Sequence, residues 1–253
     1  MLRKSLHLGL NSGNFPTCPL QNSEFPATTP MKIHTITLSA LSICAALTCN
    51  ASVILGVGND ALIGGDLTDP ENDGAVDADT GYNAVFAASS KENFGPPEGA
   101  FNVFDNRIGG GNDKWCCGND PNSAQWVQAT FDQPMILSGF TLASGNDTPG
   151  RDPVNWQIQG SNDGVNFVNI FSNTDSNVWT ARNQVISWSV EGGDFSTPAG
   201  YTTLRMNTDS TGLGGGAFFQ LNEIEFFGTA VPEPSVFSLF GLAGLGLFLR
   251  RRR

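Results

Sequence analysis

Trp156-Gln-Ile-Gln-Gly-Ser-Asn-Asp-Gly-Val-Asn-Phe-Val-Asn-Ile-Phe171 reads as two short strands joined by a tight turn. Residues 156–159 alternate apolar and polar side chains with period two, the signature of a strand with one face inward and one in water. Ser161-Asn-Asp-Gly164 then breaks the pattern, because Asn, Asp and Gly tolerate the positive φ that a hairpin turn demands. Working outward, Trp126-Val-Gln-Ala-Thr-Phe131 alternates in the same way. Further candidate strands cover residues 84–89, 137–143, 167–171, 184–190, 202–206 and 221–227. No stretch of the body has helical periodicity. About eight short strands with Gly-rich loops between them predict an all-β fold, an antiparallel β-sandwich of the jelly-roll type. The alternation assigns Trp126 and Trp156 to the core and leaves Trp188 undecided.

The two ends of the chain have a different character. Residues 31–52 combine Lys32, an apolar run over 36–47 and the small-residue stretch Cys49-Asn-Ala-Ser52, the pattern of a signal peptide forming an N-terminal signal helix. Residues 1–30, with Pro16, Pro19, Pro26 and Pro30, have no hydrophobic periodicity and read as disordered or as a misassigned start, with translation beginning at Met31. Residues 53–83 form a polar lead-in that can hold one edge strand near 53–57, and 84–228 form the sandwich. Residues 229–253 close the chain with a short hydrophobic helix.

Charge and rare residues exclude several functions. Between Ser52 and Ala230 six basic residues face 22 acids, a net of −16. Phosphate backbones would be repelled, so nucleic acid is not a partner. The two histidines, His7 and His34, lie in or before the signal peptide. A body without histidine cannot build Ser–His or Cys–His nucleophile pairs, nor a zinc site that needs imidazole. Export and cleavage leave Cys116 and Cys117 as neighbours in an oxidising compartment, either as loop thiols or as a small local ring. A paired-carboxylate glycosidase survives as an alternative, because acids are plentiful.

An ordered set of fragments resembles the discoidin, or coagulation factor V/VIII type C, family, which includes galactose-binding-like carbohydrate-binding modules. The fragments are Ala87-Ala-Ser-Ser90, Ala100-Phe-Asn-Val-Phe-Asp-Asn106, Asp113-Lys-Trp115, Gln125-Trp-Val-Gln-Ala-Thr-Phe131, residues 156–164, Leu204-Arg-Met206 and Leu221-Asn-Glu-Ile-Glu-Phe-Phe-Gly228. The resemblance implies a sandwich that binds ligands through loops at one end and is not itself an enzyme. It also implies a structural Ca2+, with Asp105 and Glu223 matching the family's carboxylate ligands and Asp113 standing where a hydroxyl residue is usual. Asn146 and Arg151 on one loop, with Trp179 or Trp115 as an aromatic platform, are the candidate carbohydrate contacts. Arg151 and Asp152 also read as an ion pair at the start of a strand.

The C-terminus has its own signature. Val231, Pro232, Glu233 and Pro234 precede an apolar run and then Arg250, Arg251, Arg252 and Arg253, which resembles the PEP-CTERM sorting signal. The prolines keep the motif extended, and the arginines stay on the cytoplasmic side. Residues 235–249 as a helix would cover about 22 Å of a hydrocarbon core of roughly 30 Å, short for a lasting transmembrane anchor. The resemblance implies an exosortase-type processing enzyme and a transient membrane hold. The expectation is therefore an exported envelope protein, released to the matrix after cleavage, that binds polysaccharide. A purely structural matrix role is the other non-enzymatic reading.

Overall fold

The computed structural model describes residues 52–75, 78–89, 98–111, 113–116, 125–212 and 218–232. All of them belong to the unit that begins at Leu47. The signal peptide over 31–51 and the tail over 233–253 lie outside the described residues, and so does Cys117. Among the described residues no helix is long and apolar enough to cross a membrane.

Ten strands follow one another: β1 Val53–Val57, β2 Val85–Ala88, β3 Trp115–Cys116, β4 Gln125–Ala143, β5 Pro153–Ser161, β6 Val168–Asn173, β7 Gln184–Ser189, β8 Tyr201–Thr211, β9 Gln220–Leu221 and β10 Glu223–Ala230. Every pairing is antiparallel. The organising element is β4, which runs for 19 residues and serves two sheets. Its first part, Gln125 to Thr130, lies between β2 and β8, and β8 continues to β5 and β6. Its second part, from Met135, lies between β10 and β7, and β7 continues to β1. The change of partners falls at Asp132-Gln-Pro134, where the register with β8 shifts. Proline lacks a ladder donor, so a strand that must bend between sheets carries it at the corner. This is the antiparallel β-sandwich the alternation predicts. The sequence reads β4 as two strands; the chain passes through the corner without a break.

The core lies between the two sheets. Trp156 from β5 meets Phe140 and Trp188 from the other sheet, with ring centroids 6.1 and 5.2 Å away. Phe140 and Trp188 stack at 5.2 Å and 16°. Each such pair adds about 0.5–1.5 kcal/mol beyond area burial. Val127, Ala129, Leu142, Ile158, Ile186, Leu204, Met206, Ile224 and Phe226 fill the remainder. Trp126 is the exception to the sequence reading. Gln125, Val127 and Ala129 take the buried positions of β4, so Trp126 points outward and is only half-buried.

The outer face of the β10–β4–β7–β1 sheet is covered by the segment that follows β1. Ile63 and Gly64 donate backbone N–H groups to Glu225 at 3.2 and 2.5 Å, and Leu67 N–H reaches Phe226 O at 2.7 Å. Ile108, Ala143 and Val185 pack there with Ala61 and Leu62 as a small second core. The polar lead-in thus folds onto the sandwich, and β1 forms an edge strand.

Candidate functional site

Two polar clusters gather around the β9–β10 junction. The first holds the loop of residues 144–152 against β3 and β9. Lys114, one residue before β3, is almost wholly buried, yet its ammonium group keeps three partners. It donates to Asn146 Oδ1 at 2.8 Å and Gln220 Oε1 at 3.1 Å and pairs with Asp147 Oδ1 at 3.1 Å. Gln220 passes the network on, donating to Thr148 O at 2.9 Å and Asp152 Oδ1 at 3.1 Å. Asp152 is closed by the Arg182 guanidinium and by Gly145 N–H at 3.1 Å. Buried polar groups persist only when they are paired in this way.

Electrostatics follow that geometry. Burial raises the Asp152 carboxyl against the opposing pull of Arg182 and Gln220. Asp147 is penalised by burial too, but Thr148 N–H and Lys114 outweigh it and hold the carboxyl below its usual range. Glu98 is raised by burial, with Lys114 and Arg151 acting against the shift. The arginine that pairs with Asp152 is Arg182, which corrects the Arg151–Asp152 ion pair read from the sequence.

Arg151 instead sits over the ring of Phe218, with its guanidinium carbon 5.0 Å from the centroid. Phe218 and Phe219 are neighbours with opposite fates. Phe219 turns inward, 4.5 Å from the Trp115 ring, while Phe218 stays half-exposed beside the loop. Asn146 and Arg151 therefore lie on one braced loop, with Phe218 as the aromatic beside Arg151. The sequence reading missed Phe218, and the only hint was a pair of adjacent aromatics at the end of a glycine run. Trp115 is completely buried and offers no platform. Trp179 packs against the core, and its indole N–H donates to Pro153 O at 2.8 Å.

The second cluster is acidic. Asp105 follows a short 3-10 turn at Ala100–Val103, and Glu223 opens β10 with no exposed surface. The two carboxyl groups are close enough for the charge of Asp105 to act on Glu223. Burial, then the charge of Asp113, pushes Asp105 up to about 7. Burial, then Asp105, raises Glu223 well above the usual range, and burial lifts Asp66 to about 6. Asp113 pairs with Arg107 at 3.1 Å. Glu225, by contrast, is amply supplied with donors, receiving Thr141 Oγ1 at 2.6 Å as well as the two backbone groups.

Carboxylate oxygens are the donor type that a hard cation takes. Neither oxygen of Asp105 receives a well-formed hydrogen bond, and Glu223 Oε1 is likewise buried without a donor. Among the described residues no three His, Cys, Asp or Glu side chains come together as a metal-holding group. A calcium ion, which takes six to eight oxygens, would have to complete its shell with backbone carbonyls and water.

The family comparison agrees with the order of these elements. Residues 85–198 match the F5/8 type C domain, and residues 230–253 match the PEP-CTERM protein-sorting motif. The chain carries an F5/8 type C domain and a C-terminal sorting motif. A signal of this kind marks the protein for export and association with the envelope. The sandwich extends past the matched stretch, since β8 and β10 complete its two sheets, while β9 pairs with β3 in a separate two-stranded sheet.

Among solved structures, the domain is similar to chitosan-binding module 1 of a chitosanase/glucanase from Paenibacillus sp. IK-5. Identity is 20%, the TM-score is 0.43, and the match covers 58% of this chain and 96% of that one. It is also similar to a family 32 carbohydrate-binding module from Clostridium perfringens solved with galactose, at 18% identity and a TM-score of 0.41, covering 57% and 93%. A curated relative, a peptide-N(4)-(N-acetyl-beta-glucosaminyl)asparagine amidase from Arabidopsis thaliana, is 33% identical over 81 residues. That match covers 30% of this chain and 11% of the amidase.

The remaining sorting residues divide at the edge of the described chain. Val231 N–H still bonds to Pro134 O at 2.8 Å, and Pro232 is exposed. Glu233, Pro234 and the four arginines lie outside the described residues. Cys116 is disulfide-bonded.

Proposed function

We propose that the protein is an exported surface or matrix component whose F5/8 type C domain binds carbohydrate without catalysis, through the loop of residues 144–152 and Phe218. One observation carries this reading. A loop tied down by Lys114, Gln220 and Asp152 holds Asn146 in place and sets Arg151 over a half-exposed aromatic ring. Sugars need directional polar groups for their hydroxyls and a ring for their apolar face, all held still before the ligand arrives. The acidic cluster has a supporting role: Asp105 and Glu223 hold Ca2+, and the ion ties the 105–113 loop to β10. Its chemistry there is charge neutralisation.

Sorting completes the proposal. The motif starts at Val231, the last bonded residue of the sandwich, so an exosortase-type enzyme acts close to the folded domain, on a chain held only transiently at the membrane. A glycan array with the purified protein in calcium tests the binding. We expect wild-type signal on a subset of glycans and its loss in Arg151→Ala and Phe218→Ala proteins that keep their melting temperature. A blank wild-type array, or variants that bind as well as wild type, would replace this reading with a structural matrix role. Calorimetric titration of calcium into wild-type and Asp105→Asn protein tests the metal, and identical traces would remove it.

A further inference from the structure

The outer face of the β2–β4–β8–β5–β6 sheet has a composition that solvation alone does not call for. Directly paired residues share a face of a sheet, so the register gives the rows. One row runs Ala87, Gln128, Arg205, Gln159, Asn169. The next runs Trp126, Asn207, Gln157, Ser172. The water-facing side of an antiparallel sheet is ordinarily polar in a mixed way. Here the two rows hold neither lysine nor carboxylate. Amides dominate them, in a body whose net charge is −16.

These side chains are also fixed in place. Asn207 Nδ2 donates to Gln157 Oε1 at 2.9 Å, and Gln157 Nε2 donates to Asp209 Oδ2 at 2.7 Å. Gln159 Nε2 donates to Asn169 Oδ1 at 2.8 Å. Arg205 donates through Nε and Nη2 to Gln128 Oε1 at 3.1 and 2.8 Å. Its guanidinium is clasped between two rings, 4.3 Å from the Trp126 centroid and 3.4 Å from that of Phe167. A cation between two aromatic faces gives a rigid, flat and partly apolar ridge beside the amide rows.

We propose that this face is a second binding site, independent of the loop end, and that its ligand is an extended neutral polysaccharide chain. Amides offer both donors and acceptors, as hydroxyl groups do, and each amide here keeps capacity beyond the bond that fixes it. Neighbouring strands stand about 4.8 Å apart, so successive amides along a row meet a linear chain repeatedly instead of capping its end. The charge balance selects a neutral polymer. The net-negative body repels polyanions, and beside the two rows the sandwiched Arg205 is offset by Asp209, which is bonded to Gln157 and Asn207. A long chain engaging many weak contacts gains avidity that a short oligosaccharide cannot.

Affinity electrophoresis of the exported protein in gels containing a soluble neutral β-glucan, or in a second set a galactomannan, tests the site. Outward amides can be truncated with little loss of stability, so Gln157→Ala/Asn207→Ala keeps the fold, as its melting temperature will report. Arg205→Ala is the second variant. We expect retardation of the wild type by at least one polymer, weakened about tenfold or more by either variant. Phe218→Ala leaves that retardation largely intact while losing short oligosaccharides on an array. Wild-type mobility unaffected by both polymers, or folded variants retarded as strongly as the wild type, overturns the proposal. Polymer retardation that depends on Asn207 in a protein with a blank oligosaccharide array would leave this face standing and remove the loop site.

Discussion

Replacing Lys114 by Met removes a buried ammonium while keeping most of the side chain's length and apolar stem. Three partners lose a donor, and they do not weigh equally. Asp147 is 52% exposed, so its ion pair is screened by water and contributes at most about 1 kcal/mol. Asn146 is half-exposed and can rehydrate. Gln220 has no exposed surface, and its Oε1 would be left buried without a donor, a loss of about 1–3 kcal/mol. Relief of the lysine's own desolvation offsets part of the sum. The expected net is about 2–3 kcal/mol, which lowers the melting temperature by about 4–12 °C for a domain of this size. Asp147→Asn should cost no more than about 1 kcal/mol. Urea unfolding followed by Trp fluorescence measures both variants against the wild type. Equal losses in the two variants, or an unchanged Lys114→Met, would show that the buried amide network is not what braces the loop.

Three further outcomes follow from the same geometry. In protein stripped of divalent cations, stability should fall as pH rises from about 4 to about 7. Asp105 is lifted to about 7 and Asp66 to about 6 by burial, so the folded state binds more protons than the unfolded one across that window. Asp105 alone accounts for about 4 kcal/mol, and a flat urea midpoint between pH 4.5 and 7.5 would contradict it. Arg182→Met strands the buried Asp152 carboxylate and should cost about 3–5 kcal/mol, with Asp152→Asn in the same chain recovering part of it; strict additivity in thermal unfolding would refute the coupling. Gly228→Ala should destabilise by about 2–3 kcal/mol, because its Cβ would run into Ile136 O at the bulge of β10 and backbone cannot step aside. A wild-type melting temperature for that variant would show that the strand end yields.

Period-two alternation was enough to find the strands, because burying one face of a sheet imposes it whatever the topology. It could not tell which of two alternating sets faces inward. The alternation puts Trp126 in the core, yet Arg205, 79 residues away, covers its ring on the outer face. Asp132-Gln-Pro134 looked like a strand break, and the structure uses it as a corner within one strand. Lys114 gave no local signal, because its partners are 32 and 106 residues further along. Residue type alone favoured tryptophan as the sugar platform, but Trp115 and Trp179 are spent on packing and the smaller Phe218 is left at the surface. Asp105, Asp113 and Glu223 could be named only through the family resemblance, since 118 residues separate the first from the last.

The course of β10 relates sorting to binding. The strand starts at Glu223, two residues after β9, where Gln220 braces the candidate loop, and ends at Ala230. Val231 is then pinned to Pro134 at the β4 corner, directly before the sorting prolines. Eight extended residues span about 26 Å, so the loop site and the exit toward the motif lie at opposite ends of the same strand. Under the proposed function, a chain held by its motif would carry Asn146, Arg151 and Phe218 at the far end of β10 from the point of attachment. Cleavage at the motif would leave that end untouched, because Lys114, Asp152, Arg182 and Gln220 all precede β10. Binding and processing can therefore proceed without competing for the same surface. Inserting a flexible linker after Ala230 should change processing while leaving glycan binding unaltered.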